Sequence, residues 1–186
     1  MKKTLLLIFV LSILTLSGSA GACVGKTLYI GVTNAPRELL FAEMISLLVN
    51  ERTGTTVKIV TFKDAGEMYG AVKKGDVGVF IESPDRALKF LGKPVEANAK
   101  AAYETARKDY RKGLNLVWLE PFGVSQYYAA VLSLETIGNL PALPKLINKL
   151  GGMVNDETCA RLLRSVKGDE IPRMAARDFL KSRKLL

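Results

Sequence analysis

Hydrophobic residues follow two different periods along this chain. Runs of β-branched and aromatic residues at 27–32, 55–61 and 77–81 predict buried strands. Between these runs, apolar residues at 36–53 and 64–74 recur every three or four positions, which is typical of helices with a buried face. A glycine follows each helical segment, where helices commonly end. Two strand–helix units followed by a third strand predict a parallel sheet with right-handed crossovers.

The stretch 116–131 interrupts this alternation. It begins as an apolar strand at 116–119, which must stop at Glu120 because Pro121 disfavours helix in the preceding residue and has no backbone donor. Gly123 permits the turn that follows, and the chain resumes as a second, aromatic strand. A change in the winding of an α/β sheet is where such folds usually bind ligands, so we expect a site at this bend.

The remaining segments are predominantly helical. We predict helices, a strand and a loop at the following positions: helices at 95–112, 145–150, 156–166 and 172–185, a strand at 127–134, and a loop at 138–144. The fold class is therefore α/β, with a mostly parallel sheet flanked by helices, in a single domain over residues 23–186.

Residues 1–22 have the pattern of a secretory signal peptide. Lys2 and Lys3 precede an apolar run at 5–16, and small residues follow up to Ala22. An uncleaved membrane anchor is the alternative, but the apolar run is shorter than the roughly 20 residues that span a bilayer. We therefore expect an exported protein that resides in the periplasm.

The two cysteines, Cys23 and Cys159, would lie in an oxidising compartment after export. Cys23 would be the first mature residue, so it is a candidate for lipidation and membrane anchoring, although Ala20 stands where a lipobox usually has Leu. It could instead pair with Cys159 or stay free. The pattern around Cys159 also fits a plain apolar helical face.

Composition disfavours several kinds of chemistry. The net charge is +9, but the basic residues are spread over predicted helix surfaces, whereas nucleic-acid binding usually needs a basic face. The chain has no histidine, which excludes histidine-dependent catalytic triads, and it has neither a phosphate-binding glycine loop nor a calcium-type acidic cluster. Glu82 and Glu120 both follow strands, but we expect neither an acid–base enzyme nor a cofactor.

Several segments, taken in order, carry a family resemblance. These are YIGVTN at 29–34, LLFAEM at 39–44, AVKKGDVGVFIE at 71–82, LVWLEPFG at 116–123, and two closing segments at 143–154 and 175–180. Together they resemble the glycine betaine/choline-type substrate-binding proteins of ABC importers. The resemblance implies one lobe of a type II periplasmic binding protein, a quaternary ammonium or amino-acid-like ligand such as glycine betaine, choline or proline, and a membrane subunit of an ABC transporter as partner.

The sequence departs from this family in two respects. Proteins of the family have two lobes, yet only residues 132–143 separate the aromatic strand from the closing helices here, so the second lobe is expected to be absent. In addition, Ser83 stands where the family has a tyrosine of the aromatic cage that holds its cationic ligand.

Candidate ligand-binding residues follow the strands or lie in the bend. They are Thr33, Asn34, Asp64, Glu82, Ser83, Phe122, Gln126, Tyr127 and Tyr128. Simpler roles are available for several of them, because Phe122 could plug the core and Glu82 could cap the next helix. Tyr127 and Tyr128 would face opposite sides of the sheet, one in the core and one over exposed sheet.

Two functions therefore remain open. The chain could be a substrate-binding component of a quaternary ammonium importer, reduced to one lobe and degenerate in its site. Alternatively, it could be a periplasmic interaction protein that docks a partner, or a second copy of itself as a homodimer, through the uncovered cleft face.

Overall fold

The computed structural model describes residues 27–166 and 171–186, where one five-stranded sheet carries helices on both faces. The strands are β1 Leu28–Thr33, β2 Val57–Phe62, β3 Val79–Glu82, β4 Leu116–Trp118 and β5 Ala129–Ser133. The helices are α1 Pro36–Thr53, α2 Ala65–Lys74, α3 Pro84–Phe90, α4 Ala99–Leu114, α5 Leu134–Asn139, α6 Leu143–Gly151, α7 Asp156–Ser165 and α8 Ile171–Ser182. The signal-peptide prediction and Cys23 lie outside the described residues.

The sheet is mixed, with strand order β2-β1-β3-β5-β4. β1 pairs in parallel with β2 and β3, while β5 lies antiparallel between β3 and β4. Four of the strands therefore run in one direction, as the sequence predicts, and β5 is reversed. The reason is the short connection 119–128 between β4 and β5, because a parallel crossover needs about a dozen residues or more.

Helix α1 is the centre of the larger core cluster. It starts at Pro36 and ends at Thr53, where Gly54 caps it with a left-handed φ of 67° that glycine easily adopts. Its buried residues lie on most sides of the helix, since the sheet covers one side and α6, α7 and α8 cover another. No helix in the described ranges, this 18-residue one included, is sufficiently long and apolar to span a membrane.

The two faces of the sheet have different cores. Aliphatic side chains and α1 dominate one face, and the other face packs aromatic residues under α2, α3 and α4. β5 contributes to both, because Ala130 and Leu132 belong to the first cluster while Ala129 and Val131 belong to the second. Burial on both faces explains why β3 and β5 are apolar up to their last residues, Glu82 and Ser133.

Some element boundaries differ from the sequence prediction. The helix predicted from residue 95 begins only at Ala99, because the side chain of Asn98 caps its first turn. The strand predicted at 127–134 is confined to Ala129–Ser133, and Ser133 caps α5, a short helix that the sequence did not predict. The predicted loop at 138–144 is accordingly reduced to a short connection between α5 and α6.

Candidate functional site

The C-terminal ends of β1, β3 and β4 meet the start of β5 at one edge of the sheet, because β5 alone is reversed. A cavity of about 170 Å³ lies there, between the start of α3 and the bend that precedes β5. Its lining residues are Ser83, Pro84, Asp85, Ala99, Ser125, Gln126 and Tyr128. Three of the candidate residues, Ser83, Gln126 and Tyr128, are thus brought together, whereas Asp85 and Ser125 were not among the candidates.

Ser83 shapes the α3 side of the cavity. It is the N-cap of α3, and its Oγ accepts a hydrogen bond from the Arg86 N–H at 3.4 Å, while Pro84 occupies the first helical turn. The interpretation of Glu82 as the cap of this helix is wrong by one residue. The Glu82 carboxylate instead accepts the N–H of Ser83 at 2.8 Å.

Glu82 belongs to a buried charge network beneath this edge. Its side chain is fully buried and forms an ion pair of 2.5 Å with Arg86 Nε, and the Tyr69 hydroxyl donates to its other oxygen. Arg86 also pairs with the buried Glu38 at 2.6 Å and donates to the Ile81 carbonyl at 2.6 Å. The Glu82 carboxylate, which with Glu120 is the one conceivable acid–base pair in the sequence, therefore accepts hydrogen bonds on both oxygens inside the protein.

Burial and ion pairing act in opposite directions on the pKa values of the charged groups in this network. Burial raises the pKa of Glu82, and the charge of Arg86 together with hydrogen bonds from Tyr69, Arg86 and Ser83 lowers it in part. Burial also disfavours the cation, but the two carboxylates outweigh it and raise the pKa of Arg86. Thr33 completes the network, since its N–H and Oγ donate to Glu38 at 2.7 and 3.0 Å.

The bend at 119–128 forms the opposite wall. Phe122 and Tyr128 form an isolated antiparallel bridge, in which the Phe122 N–H donates to the Tyr128 carbonyl at 2.7 Å. Gly123 has a φ of 80° and Tyr127 a φ of 48°, so the chain reverses through two left-handed residues. The bend is thus a tight, specific turn.

Asp156, the first residue of α7, holds this bend in place through hydrogen bonds. Its carboxylate accepts the N–H of Val124 at 3.2 Å, the N–H of Ser125 at 3.0 Å and the Ser125 hydroxyl at 2.7 Å. Desolvation is the largest single effect and raises the pKa of Asp156, but the hydrogen bonds from Ser125 and Val124 together with the charge of Arg37 lower the pKa overall. The sequence does not predict this contact, because acidic residues are common in the first turn of a helix for local electrostatic reasons.

The aromatic residues of the bend have three different environments. Phe122 is buried and stacks on Phe41 with ring centroids 4.4 Å apart, so it plugs the core. The Tyr127 ring packs on Tyr103 at 5.6 Å, within the aromatic cluster. Tyr128 packs against the cluster around α1, so the two tyrosines do face opposite sides, but each is half-buried against a core.

Tyr128 is the aromatic residue that lines the cavity. Its ring lies 6.4 Å from Phe41, and the guanidinium carbon of Arg37 lies 5.4 Å from its centroid, within cation–π range. Burial and the nearby Glu38 raise the pKa of the Tyr128 hydroxyl, against the lowering effect of Arg86 and Arg37. A phenol ring beside a small polar cavity is suited to contact a cationic group.

The other candidates lie apart from the cavity. Asn34 is exposed after β1, and Asp64 caps α2 by accepting the Glu67 N–H at 3.0 Å. Cys159 is buried in the α1 cluster, where burial raises the pKa of its thiol. Over 27–166 and 171–186, no three side chains of the acidic or cysteine type are grouped to hold a metal ion.

Comparisons with known proteins identify the fold and the family. No curated protein matches the chain in sequence. Among solved structures, a glycine betaine/carnitine/choline ABC transporter protein is similar at 14% identity and a TM-score of 0.76, over 86% of this chain and 98% of that one. Apo YehZ from Escherichia coli is similar at 11% identity and a TM-score of 0.77, over 87% and 100%.

A third structure, lactococcal OpuAC in a closed form with glycine betaine, is similar at 9% identity and a TM-score of 0.53, over 86% of this chain and 97% of that one. These likenesses confirm the predicted fold, that of periplasmic binding proteins of this type. A sequence profile of the family matches residues 26–138, which is more than half of the chain. The chain therefore belongs to the family of substrate-binding domains of ABC-type glycine betaine transport systems.

Proposed function

We propose that this protein is the substrate-binding component of a quaternary ammonium importer, built as a single lobe. The observation that carries the proposal is the cavity at the C-terminal edge of the sheet, which combines the Tyr128 ring with the carboxylate-bearing Asp85. Family membership supports a role in substrate binding for an ABC transport system. The ligand class follows from the site, because an aromatic face and a carboxylate both attract a small cation.

The single-lobe architecture is part of this proposal. In the described chain, only residues 134–142 connect β5 to α6, and most of them form α5. This connection is too short for an additional α/β lobe, since one βαβ crossover alone needs about ten to twelve residues. The cavity of about 170 Å³ is also smaller than the roughly 300–1,000 Å³ of most ligand pockets. We therefore expect weak binding in an open half-site.

The same proposal includes export and a membrane partner. A periplasmic location, with an anchor at Cys23 in the lipidated form, would place the lobe beside the membrane subunit of an importer. Binding without chemical conversion is supported by Glu82, whose carboxylate is held by Arg86, Tyr69 and Ser83 rather than facing a substrate. A non-enzymatic role agrees with a family of substrate-binding domains.

An interaction protein is the second candidate, and one observation favours it. Val124, at the outermost part of the bend, is 67% exposed, and the polar Ser125 and Gln126 beside it are exposed as well. An apolar side chain presented at the cleft edge could meet a partner or the same edge of a second copy, and a homodimer would close the half-site from both sides. Sedimentation velocity over a range of protein concentrations would reveal such a dimer.

A thermal-shift titration of the purified protein tests the first candidate. Glycine betaine, choline, carnitine and proline are added separately, and a saturable rise in melting temperature is expected with at least one of them. Tyr128→Leu should abolish the rise, because leucine keeps the apolar bulk but removes the π face. Tyr29→Leu is the matched control, since Tyr29 is an exposed tyrosine on β1 outside this cavity.

The outcomes separate the candidates. A rise in melting temperature that Tyr128→Leu removes and Tyr29→Leu retains supports the importer component. If no ligand changes the melting temperature at millimolar concentration, while the protein dimerises with concentration, the interaction protein is the correct reading.

A further inference from the structure

A cationic side chain of the protein itself, that of Arg37, already contacts the aromatic ring of Tyr128. Arg37, the second residue of α1, places its guanidinium carbon 5.4 Å from the centroid of the Tyr128 ring. This distance is within the roughly 6 Å over which a cation is attracted to an aromatic face. The contact joins the start of the first helix to the bend before the last strand, so it is made by the fold and not by neighbouring residues.

Arg37 differs from the other arginine at this edge in its partners. Arg86 is held by two carboxylates and a backbone carbonyl. In the described part of the chain, no hydrogen bond or ion pair within 4 Å involves the Arg37 guanidinium, which contacts the Tyr128 ring and lies close enough to the Asp156 carboxylate to lower the pKa of that group. Arg37 does not itself line the cavity, but it contacts the ring of Tyr128, which does.

A quaternary ammonium ligand in the cavity would use the same aromatic ring that Arg37 contacts. Such a cation has no hydrogen-bond donor, so its affinity depends on contact with aromatic faces and on nearby negative charge. On the same face of the ring, the ligand and the guanidinium would repel each other at close range. On the opposite face they would lie about 10 Å apart, which is about the screening length at 0.1 M salt, so the repulsion would be weaker but still present. Arg37 therefore opposes the ligand class for which Tyr128 is suited.

We infer that Arg37 is a specificity-determining residue, an internal cation that competes with quaternary ammonium ligands for the Tyr128 ring. This inference rests on the proposed function, and it explains in physical terms why the half-site should bind such ligands weakly. A ligand must either displace the guanidinium or bind against its charge, and both reduce affinity. The side chain is only half-buried at the first turn of α1, so it has room to move aside.

Removing the charge of Arg37 should therefore strengthen binding. In Arg37→Gln, the affinity for tetramethylammonium and for choline is expected to rise at least about two- to fivefold, which corresponds to the strength of one exposed cation–π contact. Arg111→Gln is the matched control, because it removes the same charge from an exposed position on α4. The affinity of this control should equal that of the unchanged protein.

The experiment titrates the unchanged protein and both variants with tetramethylammonium chloride, using sodium chloride at the same concentration as the blank, and follows binding by isothermal titration calorimetry. A second readout does not depend on ligand. In a double-mutant cycle of Arg37→Gln and Tyr128→Leu, the free energies of unfolding should be non-additive, because the two side chains interact.

The outcomes distinguish the inference from the proposed function. Tighter binding by Arg37→Gln alone, together with non-additive stabilities, supports the inference. If the unchanged protein binds tetramethylammonium and Arg37→Gln binds it equally or more weakly, the inference is wrong while the proposed function stands. If none of the three proteins binds tetramethylammonium, the inference is wrong, and the thermal-shift titration with glycine betaine, choline, carnitine and proline decides the proposed function separately.

Discussion

Two groups of charged and polar side chains lie near the same edge of the sheet, and they are organised in opposite ways. In the buried network, Glu38, Glu82 and Arg86 satisfy one another. In the bend, Asp156 holds the backbone of Val124 and Ser125 from one side. The cavity lies on the other side of the bend, next to Gln126 and Tyr128.

The difference suggests a division of labour between the two walls of the proposed site. The buried network fixes the ends of β1 and β3 and the start of α3, so one wall of the cavity is rigid. The other wall is a loop whose shape depends on a few hydrogen bonds from α7. We therefore expect substitutions in the network to change mainly the stability of the fold. Substitutions in the bend should change mainly the shape of the site.

The largest effect is expected when the network loses its cation. Arg86→Met should lower the free energy of unfolding by about 3–5 kcal/mol, because it leaves two buried carboxylates without a counter-charge. The loss should grow as pH rises, since the pKa of Glu82 is already raised by burial and Arg86 opposes that rise. Urea unfolding at several pH values measures both effects.

The control for this change is another arginine–glutamate pair. Arg173→Met breaks the contact of 3.0 Å with Glu43, but the Arg173 side chain is 53% exposed, so the cost should be about 1 kcal/mol or less. Equal losses in the two variants would contradict the view that the network, rather than charge pairing in general, stabilises the lobe.

A smaller effect is expected from the turn of the bend. Gly123→Ala should lower the free energy of unfolding by about 1–2 kcal/mol from the left-handed backbone alone, because Gly123 has a φ of 80°. A Cβ there would also lie 2.4 Å from Asp156 Oδ1, so the fastening contacts must shift and ligand binding should weaken. Thermal unfolding and ligand titration of the variant measure the two effects.

Gly113→Ala sharpens this comparison, because it should have the opposite sign. Gly113 lies near the end of α4, and no atom lies within 4 Å of the position that its Cβ would take. Alanine in a helix is favoured over glycine by about 0.5–1 kcal/mol, so this variant should be slightly more stable. A loss of stability at both positions would mean that the left-handed turn is not the cause.

The smallest effect concerns the charge of Asp156. Asp156→Asn should lower the free energy of unfolding by about 1 kcal/mol at neutral pH, because hydrogen bonds to a carboxylate are stronger than those to an amide. The pKa of Asp156 is lowered in the folded protein, so this contribution is present above the ordinary aspartate pKa of about 3.9 and is lost as pH falls through the lower folded value.

The measurement is urea unfolding of both proteins between acidic and neutral pH. Their stabilities should converge as the pH falls. A difference that does not change with pH would show that the charge on Asp156 contributes nothing to holding the bend.

Sequence patterns predict the parts of this structure that depend on local chemistry. The helix ends at Gly54 and Gly75, the stop at Pro121 and the turn at Gly123 all follow from the conformations these residues favour. The position of the candidate site at the edge of the sheet follows as well, because it needs only the order of strands and helices.

The contacts that give the site its character could not be predicted in the same way. Arg86 and Glu38 are 48 residues apart, and Asp156 is 31 residues from Ser125, so their pairing depends on how the sheet is assembled. In sequence, Arg37 and Asp156 are ordinary charged residues in first helical turns, and no local pattern relates either of them to the bend. Only the reversed direction of β5 brings the bend to this edge.

The central claim is that the cavity between the start of α3 and the bend is the binding site. The most direct test is an amide chemical-shift titration of the isotope-labelled protein with choline. We predict saturable shifts centred on the amides of Ser83, Asp85, Ser125 and Gln126. Shifts centred instead on the groove at the other end of α4, beside Phe90 and Leu114, would contradict the claim. The absence of any saturable shift with choline, and in further titrations with glycine betaine, carnitine and proline, would contradict it as well.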